Sequence, residues 1–439
     1  MKKIISLLIL VSLILQSCKK DEAGATFKFI VSDDCIPTNF EYWVMVSDNS
    51  NVLYLQEIQN GQTYETPEID LPLVDVHVFW YYETASIKQL IVHSYTDIAP
   101  IQWNIERMPA SPPYVGQANV SIPDLQNVRS YAFSSSFQAK LFDSITGGGS
   151  ILLFQVPENI LISCWPSDNS PLRYRWVQNV VANQSVVYSM GDLLQATGSK
   201  SFSISSGYSS IQFRYYGYFS NYNTERYSFP QLIFTNTETN QVVLYYPQGL
   251  FENYYFTYKI VDDVDETRAM AYINYGQFPT SLPATAYANY SIVNYNSFDN
   301  ALISIENPQD YHILLKHYSC NQSQDNFSER FYWYVYSKPQ PIVSNPIPDI
   351  PYEIAQKSTF FNKNNLMPQS SSLAKFIRGD VVTYNDYINL VASKSAILNE
   401  KVSEYILFYK YPSASTAIKA NFRENEMDLD AGNNYHKWD

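Results

Sequence analysis

Five histidines and four cysteines are the scarce chemistry-bearing residues of this 439-residue chain, and their spacing limits the reactions open to it. Asp75 and His77 stand two apart in a stretch, Val74 to Tyr82, that reads as a strand, so they share one face, and His93 lies on a run that can pair beside it. That is the best metal arrangement on offer. A solvated or hydrogen-bonded sheet face accounts for it better, and no metal site is expected. His312 and His317 are five apart, which puts them on opposite faces of a strand, so they cannot form a bidentate pair. Asp262, Asp263, Asp265 and Glu266 follow a strand but lack the alternating ligands and glycine of a calcium loop, and read as a solvated turn. A Ser-x-x-Lys spacing occurs at Ser372-Leu373-Ala374-Lys375 with no Lys-Thr-Gly after it, in a polar stretch. Neither Gly-x-Ser-x-Gly nor His-Glu-x-x-His is present. A glycosidase needs only two carboxylates from distant positions, so the many acidic residues neither support nor exclude one. The sequence therefore favours a non-catalytic role without cofactor, with a hydrolase lacking a recognisable motif as an alternative. Cys35, Cys164 and Cys320 lie far apart without a C-x-x-C or Cys/His spacing and read as small buried apolar residues.

The one excess is aromatic: 38 tyrosines against 14 glycines. They crowd around Tyr208, Tyr215, Tyr216, Tyr218, Tyr222 and Tyr227. Adjacent residues of a strand point to opposite faces, so Tyr215 and Tyr216 must diverge and part of the cluster faces outward unless both faces are covered. Rings tipped by a hydroxyl offer rigid contact area to a sugar or a protein, and Tyr215, Tyr216, Tyr218 and Tyr222 are the candidate ligand-binding residues. Cross-strand pairing that merely stabilises the sheet is the competing reading.

The first residues carry an address. Lys2 and Lys3 precede an apolar run from Ile4 to Leu15 and a short cleavage region, the three parts of a secretory signal. The run is too short to span a membrane. Leu15-Gln16-Ser17-Cys18 at its end resembles the bacterial lipobox, which implies that Cys18 is acylated and becomes the mature N-terminus. Lys20, Asp21 and Glu22 then resemble the signal that follows the lipidated cysteine in surface-exported lipoproteins of the Bacteroidetes, although a charged tether would look the same. Asp143-Ser144-Ile145 resembles the acceptor of O-glycosylation in exported proteins of that group, which implies a glycan on Ser144.

Composition agrees with an extracellular address. Without Lys2 and Lys3 the mature chain has 27 Lys and Arg against 42 Asp and Glu, a formal charge of −15, with no basic cluster after residue 20. A nucleic-acid partner is excluded on that ground, since phosphates would find nothing to neutralise them. About 420 residues exceed what one core usually organises.

Short runs rich in Val, Ile, Tyr and Phe, bounded by Pro, Asn, Asp or Gly, predict an all-β chain of several β-sandwich (Ig-like) domains in tandem. The expected order is a signal peptide over 1–17, a lipidated tether over 18–26, sandwiches over 27–108 and 116–197, a Tyr-rich β domain over 200–280, a β domain with a proline-rich insertion over 283–412, and a polar tail over 413–439. Asn60-Gly61, Gly147-Gly148-Gly149-Ser150 and Thr237-Glu238-Thr239-Asn240 are the clearest hairpin or turn signals. Pro339, Pro341, Pro346, Pro348 and Pro351 mark a segment that cannot be a central strand. Tyr384 to Leu398 has the spacing of a short helix. Turn spacing sets strand length and not sheet membership, so two of these units can equally be halves of one larger sandwich. The expectation for function is an outer-membrane surface lipoprotein, held by its lipid anchor, that binds glycan or protein through aromatic-rich sheet faces. A structural or assembly role in the envelope is the remaining alternative.

Overall fold

A computed structural model of the chain describes residues 24–410, apart from 50, 106–112, 143–146, 169, 205–207, 221–224, 236–240, 265–267, 284–289, 295–301, 325, 344–347, 377–382 and 394–402. The protein is all-β with several sheets. Its α-helices among the described residues are Tyr352–Ala355 and Tyr384–Ser393.

A single thirteen-stranded sheet organises the molecule. From one end its strands are Asn51–Ile58, Phe40–Asp48, Val74–Glu83, Ile87–Ile98, Phe327–Ser337, Ile313–Gln324, Met367–Phe376, Ser403–Lys410, Arg268–Gly276, Asn253–Asp262 and Tyr208–Tyr218. The last of these carries both Tyr227–Ser228 and Leu232–Thr235 along its outer side. The pairing is antiparallel except where Ile87–Ile98 runs parallel to Phe327–Ser337. Those two strands are covered on both faces: Leu90, Val92, Phe331 and Trp333 turn to one core, and Ile91, Tyr95 and Tyr336 to another. One face meets Ile350, Ile354, Phe361 and Leu366, supplied just after the prolines. The other meets Tyr387, Ile388 and Ala392 of the helix Tyr384–Ser393, and the Tyr384 hydroxyl ties that helix down by donating to the carbonyls of Thr96 (3.0 Å) and Tyr336 (2.9 Å).

Smaller sheets are layered on the long one. Lys28–Val31, between Thr63–Glu65 and Gln102–Ile105, puts Phe27, Phe29 and Trp103 against Val44, Val76 and Tyr95. Gly198–Ser203 pairs with Gln241–Tyr246 and covers Phe213 and Phe256 through Phe202 and Leu244. Leu302–Ile305, flanked by Tyr290–Asn294 and Ile342–Val343, brings Ile303 and Ile305 into the same core as Leu314 and Leu373. Ile342–Val343 lies at the edge of its sheet, where a proline-rich segment is tolerated.

The region 116–197 is a sandwich in its own right. A five-stranded sheet centred on Glu158–Pro166 faces a three-stranded one centred on Gly116–Ser121 across Val120, Ile151, Ile162 and Cys164. Its outer side is not free, because Leu161, Trp165 and Leu172 join the core that continues to Leu373.

Two expected hairpins are sheet crossings instead. Asn60-Gly61 leads from Asn51–Ile58 in the long sheet to Thr63–Glu65 in a small one. Gly61 has φ +70° there, with a Cβ position 2.7 Å from Asp33 Oδ1, so the backbone still demands glycine. The glycines at 147–149 precede and begin Gly148–Leu153, which pairs with Gly116–Ser121 and not with the preceding Ala139–Phe142. A turn signal marks where the chain reverses, and the partner of each strand is chosen by which apolar faces meet. The turn at Thr237 to Asn240 lies outside the described residues.

Candidate functional site

Alternation along each strand sets the geometry of an aromatic row. Phe40 and Tyr42 share a face of one strand, Trp80 and Tyr82 of the next, and Tyr332 and Tyr334 of a third. Register aligns them across the sheet: Tyr42 opposite Trp80, His93 opposite Tyr334, and Tyr334 opposite His317. The result is an unbroken sequence of eight rings, Tyr82, Phe40, Tyr42, Trp80, His93, Tyr334, His317 and Tyr332, with successive centroids 4.6, 6.2, 5.5, 4.9, 5.0, 4.6 and 6.2 Å apart. Six of the eight are half-buried, while Trp80 and His93 are buried.

The four register-paired steps, Phe40 with Tyr82, Tyr42 with Trp80, His93 with Tyr334 and Tyr334 with His317, are stacked with planes 29°, 14°, 14° and 5° apart. That spacing is the interstrand distance itself, so these rings stand on the sheet with their faces turned to one another. What such a row offers outward is ring edges and hydroxyl tips. Gln89 stands opposite Tyr82, and the exposed Arg330 stands opposite Gln89, giving the row a polar margin. Burial pushes the His317 imidazole down to about 4, and its Nε2 is enclosed without a hydrogen-bond partner among the described residues, so it stays neutral near pH 7. His93 Nδ1 lies 3.3 Å from the Tyr336 hydroxyl, which fixes the ring against the adjoining core.

The tyrosines singled out by sequence divide differently. Tyr215 is buried, stacked on Phe229 at 4.6 Å, and donates its hydroxyl to the Tyr245 carbonyl at 2.7 Å. Tyr216 points to the opposite side, half-buried and tilted on Tyr255 at 5.6 Å. Tyr218 is buried on that second side, and its hydroxyl accepts from the Gly276 amide at 3.2 Å. The sheet is thus covered on both sides at this point, and Tyr215 and Tyr218 present no open ring to a ligand. Tyr222, Ser144, Cys18, Lys20, Asp21 and Glu22 lie outside the described residues.

Asp75, His77 and His93 do not converge. His77 faces Ser47 and Ser94, whereas His93 faces the aromatic row on the other side of the sheet. Among the described residues no group of three or more His, Cys, Asp or Glu is placed to hold a metal ion. His77 forms a buried chain instead: Nε2 is 2.9 Å from Ser47 Oγ, Nδ1 is 2.7 Å from Ser94 Oγ, and Trp333 Nε1 donates to Ser94 Oγ at 2.7 Å. A Ser–His contact is the geometry of an activated nucleophile, but Ser47, His77 and Ser94 are at most 1% exposed, and a substrate has no route to them. Burial lowers the His77 imidazole to about 3. Cys35 and Cys164 are buried and Cys320 half-buried, all three as free thiols, and burial raises Cys164 and Cys320 to about 12, away from reactivity. No helix of the described residues is long and apolar enough to cross a membrane.

The fold and this row define an all-β protein with a long open sheet bearing an aromatic stripe. No family model and no curated protein matches the chain. The solved structure of the Bacillus anthracis TIE protein aligns with 55% of this chain and 45% of its own length at 12% identity, with a TM-score of 0.14. The chain thus spans less than half of that protein, and so low a score carries no argument about fold or function.

Proposed function

We propose that this chain is a non-catalytic lipoprotein of the outer-membrane surface, anchored through Cys18, that binds a protein or glycan partner through the aromatic row. The observation that supports the binding role is the row itself: eight rings, six of them half-buried and held rigid by their neighbours, lie along one face of five adjacent strands. Ordered aromatic side chains lose little entropy on binding and suit interface anchors. Stacking within the row occupies ring faces that a sugar would need, which favours a protein partner. The test is to screen the soluble mature chain from Ala23 onward against protein and glycan arrays, then repeat with Tyr42→Ala and Tyr334→Ala. Each substitution is expected to weaken binding by about 1–3 kcal/mol. Unchanged binding by both folded variants would remove the row from the function.

A further inference from the structure

The two ends of the long sheet differ. At one end Tyr208–Tyr218 is flanked by Tyr227–Ser228 and Leu232–Thr235. At the other, Asn51–Ile58 pairs only with Phe40–Asp48 among the described strands, and apart from the Gln56 side chain, which donates to the Glu57 carbonyl at 2.7 Å, no other hydrogen bond to its backbone occurs among the described residues. Natural edges are usually blunted by lysine, proline or a covering loop. This one reads Asn-Val-Leu-Tyr-Leu-Gln-Glu-Ile, with Val52 50% and Leu53 39% exposed, and its one irregularity is a bulge at Leu53. Charge around it is of one sign. Residues 27–105 hold eleven Asp and Glu against Lys28 and Lys88, and from residue 36 to 62 there is no Lys or Arg at all. Glu41 is paired with Lys357, whereas Asp48, beside the hairpin, and Glu57, on the strand, have no cation partner among the described residues. The edge also adjoins the aromatic row, since Ile58 stands opposite Tyr42.

We propose that Asn51–Ile58 is a strand-addition site for an extended segment of a protein partner, with basic residues placed to meet Asp48 and Glu57 and β-branched or aromatic residues between them. The backbone edge supplies affinity, and alternate side chains of the added strand continue the aromatic face. Asn51 stands opposite Asp48 and Glu57 opposite Trp43, five pair positions apart once the bulge at Leu53 is passed, so the two basic positions of an added strand are about five residues apart and point to opposite faces. The inference rests on the protein-binding reading above and names how that partner is held.

A synthetic decapeptide with two lysines five residues apart around an alternating Val, Thr and Tyr centre serves as the probe, and its copy N-methylated on alternate amides as the control. With the soluble mature chain, the probe should slow amide hydrogen exchange at 51–58. The control should bind about tenfold or more weakly, the scale of losing several strand hydrogen bonds. Val52→Lys and Glu57→Lys, both at exposed positions, should weaken probe binding by a similar factor while the far-ultraviolet spectrum is unchanged. Equal binding of the two peptides, or no added protection at 51–58 under saturating probe, overturns the proposal. So does a dimer in sedimentation that Val52→Lys dissolves, because the edge then serves a second copy. If array binding fails with Tyr42→Ala and Tyr334→Ala but survives Val52→Lys, the face binds and the edge does not, so the two readings fail separately.

Discussion

Lys316 is the residue whose placement is least expected from its type. It is 2% exposed on a central strand, between Leu314 in one core and Tyr318 in another, with Val335 and Ser371 opposite it, and it has no hydrogen-bond or ion-pair partner among the described residues. Burial lowers its amine to about 7, against an ordinary value of 10.5. The unfolded chain therefore binds more protons than the fold between those two values, and stability is lost as pH falls from about 10.5 to about 7. Lys316→Met should raise stability by about 1–3 kcal/mol at pH 7, and the gain should shrink at pH 10, where the wild-type amine is neutral in the fold. Urea unfolding at the two pH values reads both; a gain unchanged between them would mean that packing and not charge sets the difference. His77 has the same sign at lower pH: its contribution is full above its ordinary value of 6.5 and is lost as pH falls toward about 3.

At the scale of the strand, Tyr208–Tyr218 separates core from margin within one dipeptide. Tyr215→Ala removes a buried ring and its hydrogen bond and should cost about 3–5 kcal/mol, whereas Tyr216→Ala should cost roughly 1 kcal/mol. Thermal melts of the two variants check this, and equal losses would mean that Tyr216 is as tightly enclosed as Tyr215. The next residue is constrained by contact and not by φ. A Cβ on Gly217 would fall 2.1 Å from the Phe251 ring, so Gly217→Ala must displace that ring or the strand. Alternation made the divergence of Tyr215 and Tyr216 readable from sequence. The burial of Tyr218 was not readable, because it depends on Tyr255, Ile273 and Tyr275, brought beside it by pairing.

Across the whole molecule, the long sheet binds together strands from 27–108, 200–280 and 283–412. A fragment ending at residue 282 loses Phe327–Ser337 from beside Ile87–Ile98 and Ser403–Lys410 from beside Arg268–Gly276. Two apolar strand edges would then be bare, so the fragment should aggregate and show no cooperative urea transition, while the mature chain shows one. A cooperative transition from the fragment would mean that its parts are self-sufficient. The proposed lipid anchor belongs to this scale too. On that proposal Cys18→Ala should release the protein from membranes, since acyl chains would supply the anchoring energy, and failure of radiolabelled palmitate to enter the wild type would refute it.

The sequence alone determined the elements with strong local signatures: the strand beginning at Val74 and the helix beginning at Tyr384 fall where alternation and helical spacing put them. Arg268–Gly276, which opens Arg-Ala-Met-Ala, and Met367–Phe376, which holds Ser370-Ser371-Ser372, carry weaker strand signatures. Their place inside a large sheet, and not their propensity, makes them extended. Register and sheet membership were decided by the tertiary structure, because hydrogen bonding between strands is blind to side-chain type and only the meeting of apolar faces selects the partner. The aromatic row follows the same rule. Each strand shows its rings at alternate positions in the sequence, and the pairing of residues some 240 positions apart, His93 with Tyr334, makes them one surface.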